Sequence, residues 1–152
     1  MKTYQITSDS TADLGREHME ELGVPYVQLF YIRDGLPKRD LMTDQCALEI
    51  YDNMRNGVVY KSSQATPEDF IELWTPYLEA GQDILYIGFS SGLSGVVNSA
   101  FIARGELGPQ YPARKIYIVD SLCASGGEGL LLEKVVEKQT AGASLEECRD
   151  YA

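Results

Sequence analysis

Short apolar runs alternate along the chain with longer stretches in which apolar residues recur every three or four positions. The short runs predict strands at 4–7, 24–32, 58–60, 84–87 and 115–119. The longer stretches predict helices at 13–22, 43–56, 67–81 and 126–138, and a further one that begins at Ser91 or Gly92 and ends at Arg104. A strand followed by a helix and another strand forms a βαβ unit, in which the two strands are parallel. This order indicates an α/β fold, with a parallel β-sheet of βαβ units flanked by helices on both faces.

Residues that favour turns and helix ends support these boundaries. Gly23 and Gly57 are expected to end the first two helices, because glycine readily adopts the left-handed conformation that follows many helices. Thr66 is the predicted N-cap of the third helix, with Pro67 in its first turn. Asp34-Gly35 is expected to end the second strand in a turn.

A further helix is predicted at the end of the sequence. Ser144-Leu145-Glu146-Glu147 has the capping-box pattern, in which a serine and a later glutamate satisfy the first N–H groups of a helix. Only five residues follow it, too few for a helix that lacks tertiary contacts. We expect residues 1–143 to form the α/β domain and residues 144–152 to begin a helix that leads to a second domain outside this chain.

The composition fits one globular domain and disfavours one class of partner. The chain has 152 residues, of which 44% are hydrophobic and 24% are charged. Its 13 lysines and arginines against 23 aspartates and glutamates give a net charge of −10, and this field repels phosphate backbones. We therefore expect no nucleic-acid partner.

Cysteine usage and hydropathy indicate a cytoplasmic protein. Cys46, Cys123 and Cys148 form neither an even set nor a close pair, which disfavours disulfides and a cysteine-ligated zinc site. No signal peptide is visible. Residues 84–103 lack charged side chains, but three glycines and four serines interrupt them, so no membrane span is predicted. Neither a metal nor a cofactor is expected, because the acidic residues near the strand ends have no histidine or cysteine at ligand spacing.

Small hydroxyl-bearing residues follow four of the predicted strands. They occur in the segments Ser8-Asp9-Ser10-Thr11, Ser62-Ser63-Gln64, Ser90-Ser91-Gly92-Leu93-Ser94-Gly95 and Asp120-Ser121. Ligands of open parallel sheets bind beyond the carboxyl ends of the strands. We expect the four segments to meet at this edge, where hydroxyls and the N–H groups of helix N-termini can hold an anion. Each segment taken alone also fits a simple helix cap or turn.

Two enzymatic alternatives use the same edge. Gly88-Phe89-Ser90-Ser91-Gly92 matches the G-x-S-x-G pattern of serine hydrolases, but the only histidine is His18, far upstream. Ser125-Gly126-Gly127-Glu128-Gly129 opens a helix after a strand but has no phosphate-binding spacing. A phosphotransfer or serine-hydrolase-type subunit completed by another domain is therefore the alternative to a binding protein. A regulatory or scaffold domain with a collapsed cleft is a third possibility.

The hydroxyl-bearing segments also resemble the signatures of a known family, the DegV family of bacterial fatty-acid-binding proteins. Residues 6–14 (Ile-Thr-Ser-Asp-Ser-Thr-Ala-Asp-Leu) resemble the opening of that family. Ser62-Ser63-Gln64-Ala65-Thr66-Pro67 is similar to its second signature, usually Thr-Ser-Gln-Pro, and residues 90–95 are similar to its third. Residues 118–121, with Gly127 and Gly129, resemble the fourth. The four motifs occur in the family's order and span nearly the whole chain.

The resemblance implies a two-domain lipid carrier with no chemistry of its own. A long-chain fatty acid would lie in a tunnel between the domains and be presented to a separate fatty acid kinase, which phosphorylates its carboxyl group. In the family, the carboxylate is held by the first residue of the second signature and the last serine of the third. These positions are Ser62, which replaces the usual threonine, and Ser94. Supporting positions are Ser63, Ser91, Gly92, Gly95, Ser10 and Ser121.

Simple energetics agree with this assignment. A hydrogen bond to a charged acceptor contributes about 1.5–3 kcal/mol, so two or three of them can orient a carboxylate. Burial of an acyl tail contributes about 0.8 kcal/mol per CH₂ group, on the order of 10 kcal/mol for a long chain. The tail would therefore set most of the affinity. Candidates for the wall that faces it are Leu29, Phe89, Leu93 and Val96.

Overall fold

Residues 3–152, which a computed structural model describes, contain seven β-strands and six α-helices. The strands are β1 (Tyr4–Asp9), β2 (Tyr26–Val27), β3 (Phe30–Arg33), β4 (Leu36–Arg39), β5 (Lys61–Ser63), β6 (Asp83–Gly88) and β7 (Ile116–Asp120). The helices are α1 (Arg16–Leu22), α2 (Asp44–Arg55), α3 (Pro67–Glu79), α4 (Val96–Leu107), α5 (Gly126–Thr140) and α6 (Leu145–Tyr151). A short 3-10 turn, Ser10–Ala12, follows β1.

The main sheet is parallel, with the strand order β2-β1-β6-β7. Side chains of the central strand β6 alternate between two cores, as the twofold period of a strand requires. Ile84 and Tyr86 pack with α3 and α4, whereas Leu85 and Ile87 pack with α1, α5 and α6. The predicted α/β class, with helices on both faces of a parallel sheet, is therefore confirmed.

An aromatic cluster anchors this sheet to α3. The Phe70 ring lies 5.0 Å from the Trp74 ring and 5.0 Å from the Tyr86 ring, measured between centroids. Trp74 is fully buried, and its Nε1–H donates to Thr7 Oγ1 at 3.1 Å, so its one polar atom is satisfied. These contacts fix β1 and β6, whose carboxyl ends form part of the candidate site.

A second sheet is antiparallel, has the order β4-β3-β5, and was not predicted. The run at 24–32, which predicts a single strand, is divided between the two sheets. The Leu29 N–H donates to Ser10 Oγ at 3.1 Å, and the Leu29 carbonyl accepts from the Asp40 N–H at 2.8 Å. Because both backbone groups of Leu29 are used in this way, the chain leaves the parallel sheet there and begins a new one at Phe30.

Turn geometry and helix capping set the limits of this second sheet. Asp34 and Gly35 join β3 to β4 with positive φ values of 53° and 77°, as a tight hairpin turn requires. The strand predicted at 58–60 is wrong. The Val58 N–H donates to the Asn53 carbonyl at 3.0 Å and completes the end of α2, so strand pairing begins only at β5.

The helices follow the predictions more closely than the short strands do. Thr43 caps α2 and Thr66 caps α3, each through a side-chain oxygen that accepts an N–H of the first turn. The first helix begins at Arg16 rather than at residue 13. Asp13 and Gly15 have positive φ values of 53° and 75°, so the chain cannot continue as a helix from the 3-10 turn into α1.

The last helix packs against the rest of the molecule. Ser144 and Glu147 form the predicted capping box, with side chain and backbone bonded in both directions. Leu145 and Cys148 are buried in the core beside α5 and β6, which supplies the tertiary support that a helix of this length needs. The predicted domain boundary at residue 144 stays a prediction.

Within residues 3–152, no helix has both the length and the apolar character that crossing a bilayer requires. The uncharged segment 84–103 forms most of β6, a loop and the first two turns of α4. Its apolar strand residues are buried between the helical layers.

Candidate functional site

The carboxyl ends of β1, β6 and β7 meet at one edge of the main sheet. The Ser8 hydroxyl donates to the Ile87 carbonyl at 2.9 Å, joining β1 to β6. The Asp120 carboxylate accepts from the Ser91 N–H at 3.1 Å and from the Leu122 N–H at 3.2 Å, joining β7 to the loop after β6. Burial raises the pKa of Asp120, but these hydrogen bonds outweigh burial and hold it below its ordinary value. Three of the four hydroxyl-bearing segments are therefore adjacent, as predicted.

The loop at residues 89–95, between β6 and α4, is held by its own backbone. The Ser90 carbonyl accepts from the N–H groups of Leu93 and Ser94 at 3.0 and 3.1 Å. The Ser90 hydroxyl accepts from the Gly92 N–H at 3.2 Å. Because these bonds close a separate tight turn, α4 begins at Val96, and the helix start predicted at Ser91 or Gly92 is wrong.

Ser94 lies two residues before the first residue of α4 and is half-buried. Its Oγ accepts from the Val96 N–H at 3.2 Å, and no hydrogen bond within residues 3–152 uses its hydroxyl proton. The hydroxyl is therefore free to donate to an anion near the positive end of α4.

Ser62 and Ser63 lie on β5, so the expectation that all four segments share the edge of the main sheet is wrong. Ser62 pairs with Tyr31 and Ser63 with Phe30 across the antiparallel sheet. This position follows from the divided strand at Leu29, which places β3 and its partners outside the parallel sheet. Both serine side chains are exposed.

Gln64 connects the second sheet with the loop before α4. Its Nε2 donates to Ser99 Oγ at 3.1 Å, and its amide oxygen occupies the space beside Gly95. A Cβ added at Gly95 would lie 2.5 Å from Gln64 Oε1. The segment that carries Ser62 and the loop that carries Ser94 are therefore in contact.

A cavity of about 510 Å³ opens between the second sheet and α2. Ser62 lies in its wall, and the rest of the lining is largely apolar or aromatic: Leu14, Leu29, Phe30, Tyr31, Met42 and Ile50. The volume falls within the range of about 300–1,000 Å³ that small-molecule sites usually have. Helix α2 contributes no fully buried residue, so one side of this cavity is only lightly covered.

The four residues considered for the wall of an acyl-chain site lie in different places. Leu29 lines the cavity. Val96 is fully buried in the core, where Phe89 also packs in part, whereas Leu93 is 68% exposed. The second sheet forms much of the cavity, and the sequence did not predict that sheet.

The described residues that line the cavity include three aspartates and neither lysine nor arginine. The aspartates are Asp13, Asp40 and Asp44. Asp40 is already engaged, because its Oδ1 accepts from the Met42 N–H at 3.0 Å. An anionic group at this cavity would therefore find no lysine or arginine among these lining residues.

Ser10 and Ser121 anchor loops. Among the described residues of the hydroxyl-rich segments Ser62 lines the cavity, whereas Ser94, Ser10 and Ser121 do not. Ser10 Oγ accepts from the Leu29 N–H, which ties the 3-10 turn to the start of the second sheet. Ser121 Oγ accepts from the Cys123 N–H at 3.1 Å and shapes the loop after β7. Both serines therefore hold a loop in place through a backbone N–H group.

Two buried carboxyl groups lie behind the loop at residues 89–95. Asp9 and Glu128 have no exposed surface. Thr11 Oγ1 lies 2.5 Å from Asp9 Oδ1 and 2.8 Å from Glu128 Oε2. Burial and the nearby charge of Asp9 raise the pKa of Glu128 to about 9, although hydrogen bonds with Thr11 and Ser8 act in the opposite direction. The sequence predicts no role for Glu128, whose only signal is an acidic side chain in a glycine-rich first helical turn.

The histidine that a serine hydrolase needs is engaged elsewhere. His18 Nε2 lies 2.8 Å from Glu133 Oε1, and His18 Nδ1 lies 3.4 Å from Glu21 Oε2. Both contacts raise the pKa of His18, and the contact with Glu133 joins α1 to α5. Within the described chain, no hydrogen bond joins His18 to Ser90. No group of three or more potential metal-ligating side chains occurs in residues 3–152 either.

Sequence comparison identifies relatives of about twice the length of this chain. The profile of a family described as "Uncharacterised protein, DegV family" matches residues 3–152. A DegV domain-containing protein of Clostridium perfringens is 35% identical over 148 residues, which cover 97% of this chain and 51% of that protein.

Two solved structures share the fold. One is a stearic-acid-binding protein from Eubacterium ventriosum, with a TM-score of 0.85 and 28% identity over 95% of this chain and 50% of that one. The other is a fatty-acid-binding DegV family protein from Thermus thermophilus, with a TM-score of 0.82 and 32% identity over 96% of this chain and 50% of that one. The chain spans about half the length of the relatives that it matches. Because the family profile extends over all but the first two residues, the chain belongs to the DegV family.

Proposed function

We propose that this chain binds a long-chain fatty acid and acts as a carrier without a reaction of its own. The observation that carries the proposal is the cavity of about 510 Å³, which combines an apolar lining with the hydroxyl-bearing Ser62 in its wall. An open cavity of this size argues against a scaffold domain with a collapsed cleft. Relatives with the same fold are described as fatty-acid-binding proteins.

The proposed carboxylate ligands are the hydroxyls of Ser62 and Ser94. Neither hydroxyl proton takes part in a hydrogen bond among residues 3–152, so both can donate. The contact between Gln64 and Gly95 keeps the two serine-bearing segments together. Hydrogen bonds to a carboxylate contribute about 1.5–3 kcal/mol each, which is enough to fix its position without a lysine or arginine.

The acyl chain is proposed to lie along the apolar wall of the cavity. Leu29, Met42 and Ile50 supply aliphatic surface there, and Tyr31 supplies an aromatic ring. Each buried CH₂ group contributes about 0.8 kcal/mol, so the tail supplies most of the affinity. The aspartates of the wall disfavour a second anionic group, which suits a ligand with one charged end.

The proposal extends to the partners of the whole protein. We propose that a second domain completes the site, because the chain covers only about half of its relatives. A cytoplasmic fatty acid kinase would then phosphorylate the presented carboxyl group. The net charge of −10 opposes a nucleic-acid partner.

Mass spectrometry of the organic extract of the purified chain tests the proposal. The wild type should carry a long-chain fatty acid, and Ser94→Ala should carry much less. Thr140→Ala is the matched control, because its exposed hydroxyl bonds only to the Val136 carbonyl within α5. An empty wild-type extract, together with ester hydrolysis that Ser90→Ala abolishes, would favour the enzymatic alternative instead.

A further inference from the structure

The buried contact between Thr11, Asp9 and Glu128 requires one proton more than the hydroxyl can supply. Thr11 Oγ1 is within hydrogen-bond distance of Asp9 Oδ1, at 2.5 Å, and of Glu128 Oε2, at 2.8 Å. A hydroxyl has a single proton, so it can donate to only one of two carboxylates. For both contacts to be hydrogen bonds, one of the two carboxyl groups has to be protonated and donate to Thr11.

The other contacts of Asp9 identify it as the ionised member of the pair. Its Oδ1 accepts from the Thr11 N–H at 3.0 Å, and its Oδ2 accepts from the Phe89 N–H at 3.1 Å. The Tyr86 hydroxyl adds a third donor at 2.6 Å. Asp9 therefore receives three hydrogen bonds besides its contact with the Thr11 hydroxyl, whereas Glu128 receives only a long one from Ser8 at 3.5 Å, so a negative charge is better stabilised on Asp9. The extra proton then belongs to Glu128.

We propose that Glu128 is held as a neutral carboxylic acid and that the resulting hydrogen-bond network positions the loop at residues 89–95. In this network Glu128 donates to the Thr11 hydroxyl, and Thr11 donates to Asp9. Glu128 is a positioning residue in this arrangement, because it reaches the loop only through Thr11 and Asp9. The loop begins at Phe89, whose N–H is held by Asp9. The proposal does not depend on the identity of the ligand.

The surroundings of Glu128 are consistent with a neutral acid. The titratable groups that face it or its partners are Asp9 on β1, Asp13 after the 3-10 turn, Tyr86 on β6 and Asp120 on β7. Within residues 3–152, neither Glu128 nor Asp9 forms an ion pair with a lysine, arginine or histidine. A second buried negative charge would therefore be uncompensated.

Ionisation of Glu128 would disrupt the hydrogen-bond network at Thr11. Once hydroxide has removed the proton, two carboxylates compete for one hydroxyl and repel each other. The hydrogen bonds that Asp9 accepts from Thr11 and Phe89 then change together. A glutamine at position 128 would avoid this, because its amide donates to Thr11 at every pH.

Infrared and NMR spectra of the wild type and Glu128→Gln test the proposal directly. At neutral pH the wild type should show the carbonyl band of a protonated carboxylic acid, and the variant should lack it. Between neutral pH and about pH 10, the amide signals of Thr11 and Phe89 should titrate in the wild type but not in the variant. The Gly108 amide, which donates to the Arg104 carbonyl at the far end of α4, is the internal control. Absence of the band, or the same amide titration in both proteins, would overturn the proposal.

Ligand binding separates a positioning role from a purely structural one. Glu128→Gln should bind a fatty acid within about twofold of the wild type at neutral pH, and it should lose the weakening that the wild type shows above about pH 9. Thr11→Val should weaken binding by about tenfold at neutral pH, because it removes the hydroxyl that links Glu128 to Asp9 and leaves both carboxyl groups in place. Equal weakening by Glu128→Gln and Thr11→Val at neutral pH would contradict the proposal. If the wild type binds no fatty acid, the proposed function fails, while the spectra still decide the state of Glu128.

Discussion

The side-chain amide of Gln64 occupies the place that a side chain on Gly95 would take. A Cβ added at Gly95 would lie 2.5 Å from Gln64 Oε1, and Gln64 Nε2 donates to Ser99 at 3.1 Å. Gln64 follows the two serines of β5, whereas Gly95 follows Ser94. This contact therefore joins the two segments that we propose to bind the carboxylate.

Replacement of Gly95 with alanine should separate these segments. The new methyl group would displace the Gln64 amide and break its hydrogen bond to Ser99. We expect Gly95→Ala to lower the free energy of unfolding by about 1 kcal/mol and to weaken fatty-acid binding by about tenfold. Thermal unfolding and a binding titration measure the two effects.

Gly105→Ala is the matched control for this substitution. Gly105 lies on α4, and a Cβ added there would meet nothing within 4 Å. Alanine is favoured over glycine inside a helix, so this variant should be more stable by about 0.5–1 kcal/mol, with binding unchanged. Equal effects of the two substitutions on binding would mean that the contact between Gln64 and Gly95 does not shape the site.

Gly129 on α5 also lies where a side chain would collide with its neighbours. A Cβ there would lie 2.6 Å from the Ala12 carbonyl oxygen and 2.8 Å from Leu14 Cδ2. The neighbouring atom belongs to the backbone of Ala12, which can shift only at a cost in free energy. We therefore expect Gly129→Ala to lower the free energy of unfolding by about 1–3 kcal/mol. A Cβ at Gly126, in the same helix, would meet nothing within 4 Å, so Gly126→Ala should have little effect in chemical denaturation. A neutral Gly129→Ala would contradict this packing.

Substitutions on helix α2 test whether the acyl chain lies in the cavity. Ile50 lines the cavity, whereas Leu48 on the same helix is 62% exposed and does not. Ile50→Trp should weaken binding of a long-chain fatty acid by about 5–30-fold, because the indole takes the space of part of the tail. It should affect a shorter acid much less. Leu48→Trp should leave both dissociation constants unchanged, and equal effects of the two tryptophans would place the acyl chain elsewhere.

The free energy of unfolding should depend on pH through the protonation of Glu128. Its pKa is raised from an ordinary value of 4.5 to about 9 by burial and by the charge of Asp9. The folded state therefore retains a proton that the unfolded state loses between these values, so the stabilisation falls as the pH rises through this window. The slope is about 1.4 kcal/mol per pH unit for one proton.

Chemical denaturation at several pH values measures this slope. The wild type should lose stability relative to Glu128→Gln as the pH rises from about 5 to about 9. Titrating groups that do not interact with Glu128 contribute equally to the two proteins, so their contributions cancel in the difference. A difference that does not vary with pH would show that Glu128 is ionised in the folded protein throughout.

The parallel sheet was predictable because its signals are local. Strands β6 and β7 are short apolar runs, and the helices beside the sheet carry apolar residues every three or four positions, with Thr66 as the cap of α3. The second sheet was not predictable. The run at 24–32 is continuous in the sequence. The hydrogen bonds that Leu29 makes with Ser10 and Asp40, which lie outside the run in sequence, divide it in the fold.

The candidate site was predictable only in part for the same reason. The hydroxyl-rich segments that follow β1, β6 and β7 meet because parallel strands end at one edge. Ser62 lies instead on the second sheet, and the cavity beside it arises from that sheet and α2. Glu128 gives no sequence signal as a buried acid, since its burial depends on Thr11 and Asp9 from another part of the chain.

The most direct measurement is a binding titration of a long-chain fatty acid and of the alcohol with the same chain, using the wild type, Ser62→Ala and Ser94→Ala. The wild type should bind the acid at one molecule per chain. Each serine variant should bind the acid about 10–150-fold more weakly, since a hydrogen bond to a carboxylate contributes about 1.5–3 kcal/mol. The alcohol should be affected much less. Failure of the wild type to bind the acid, or serine variants that bind it as tightly as the wild type, would contradict a fatty-acid carboxylate held by Ser62 and Ser94.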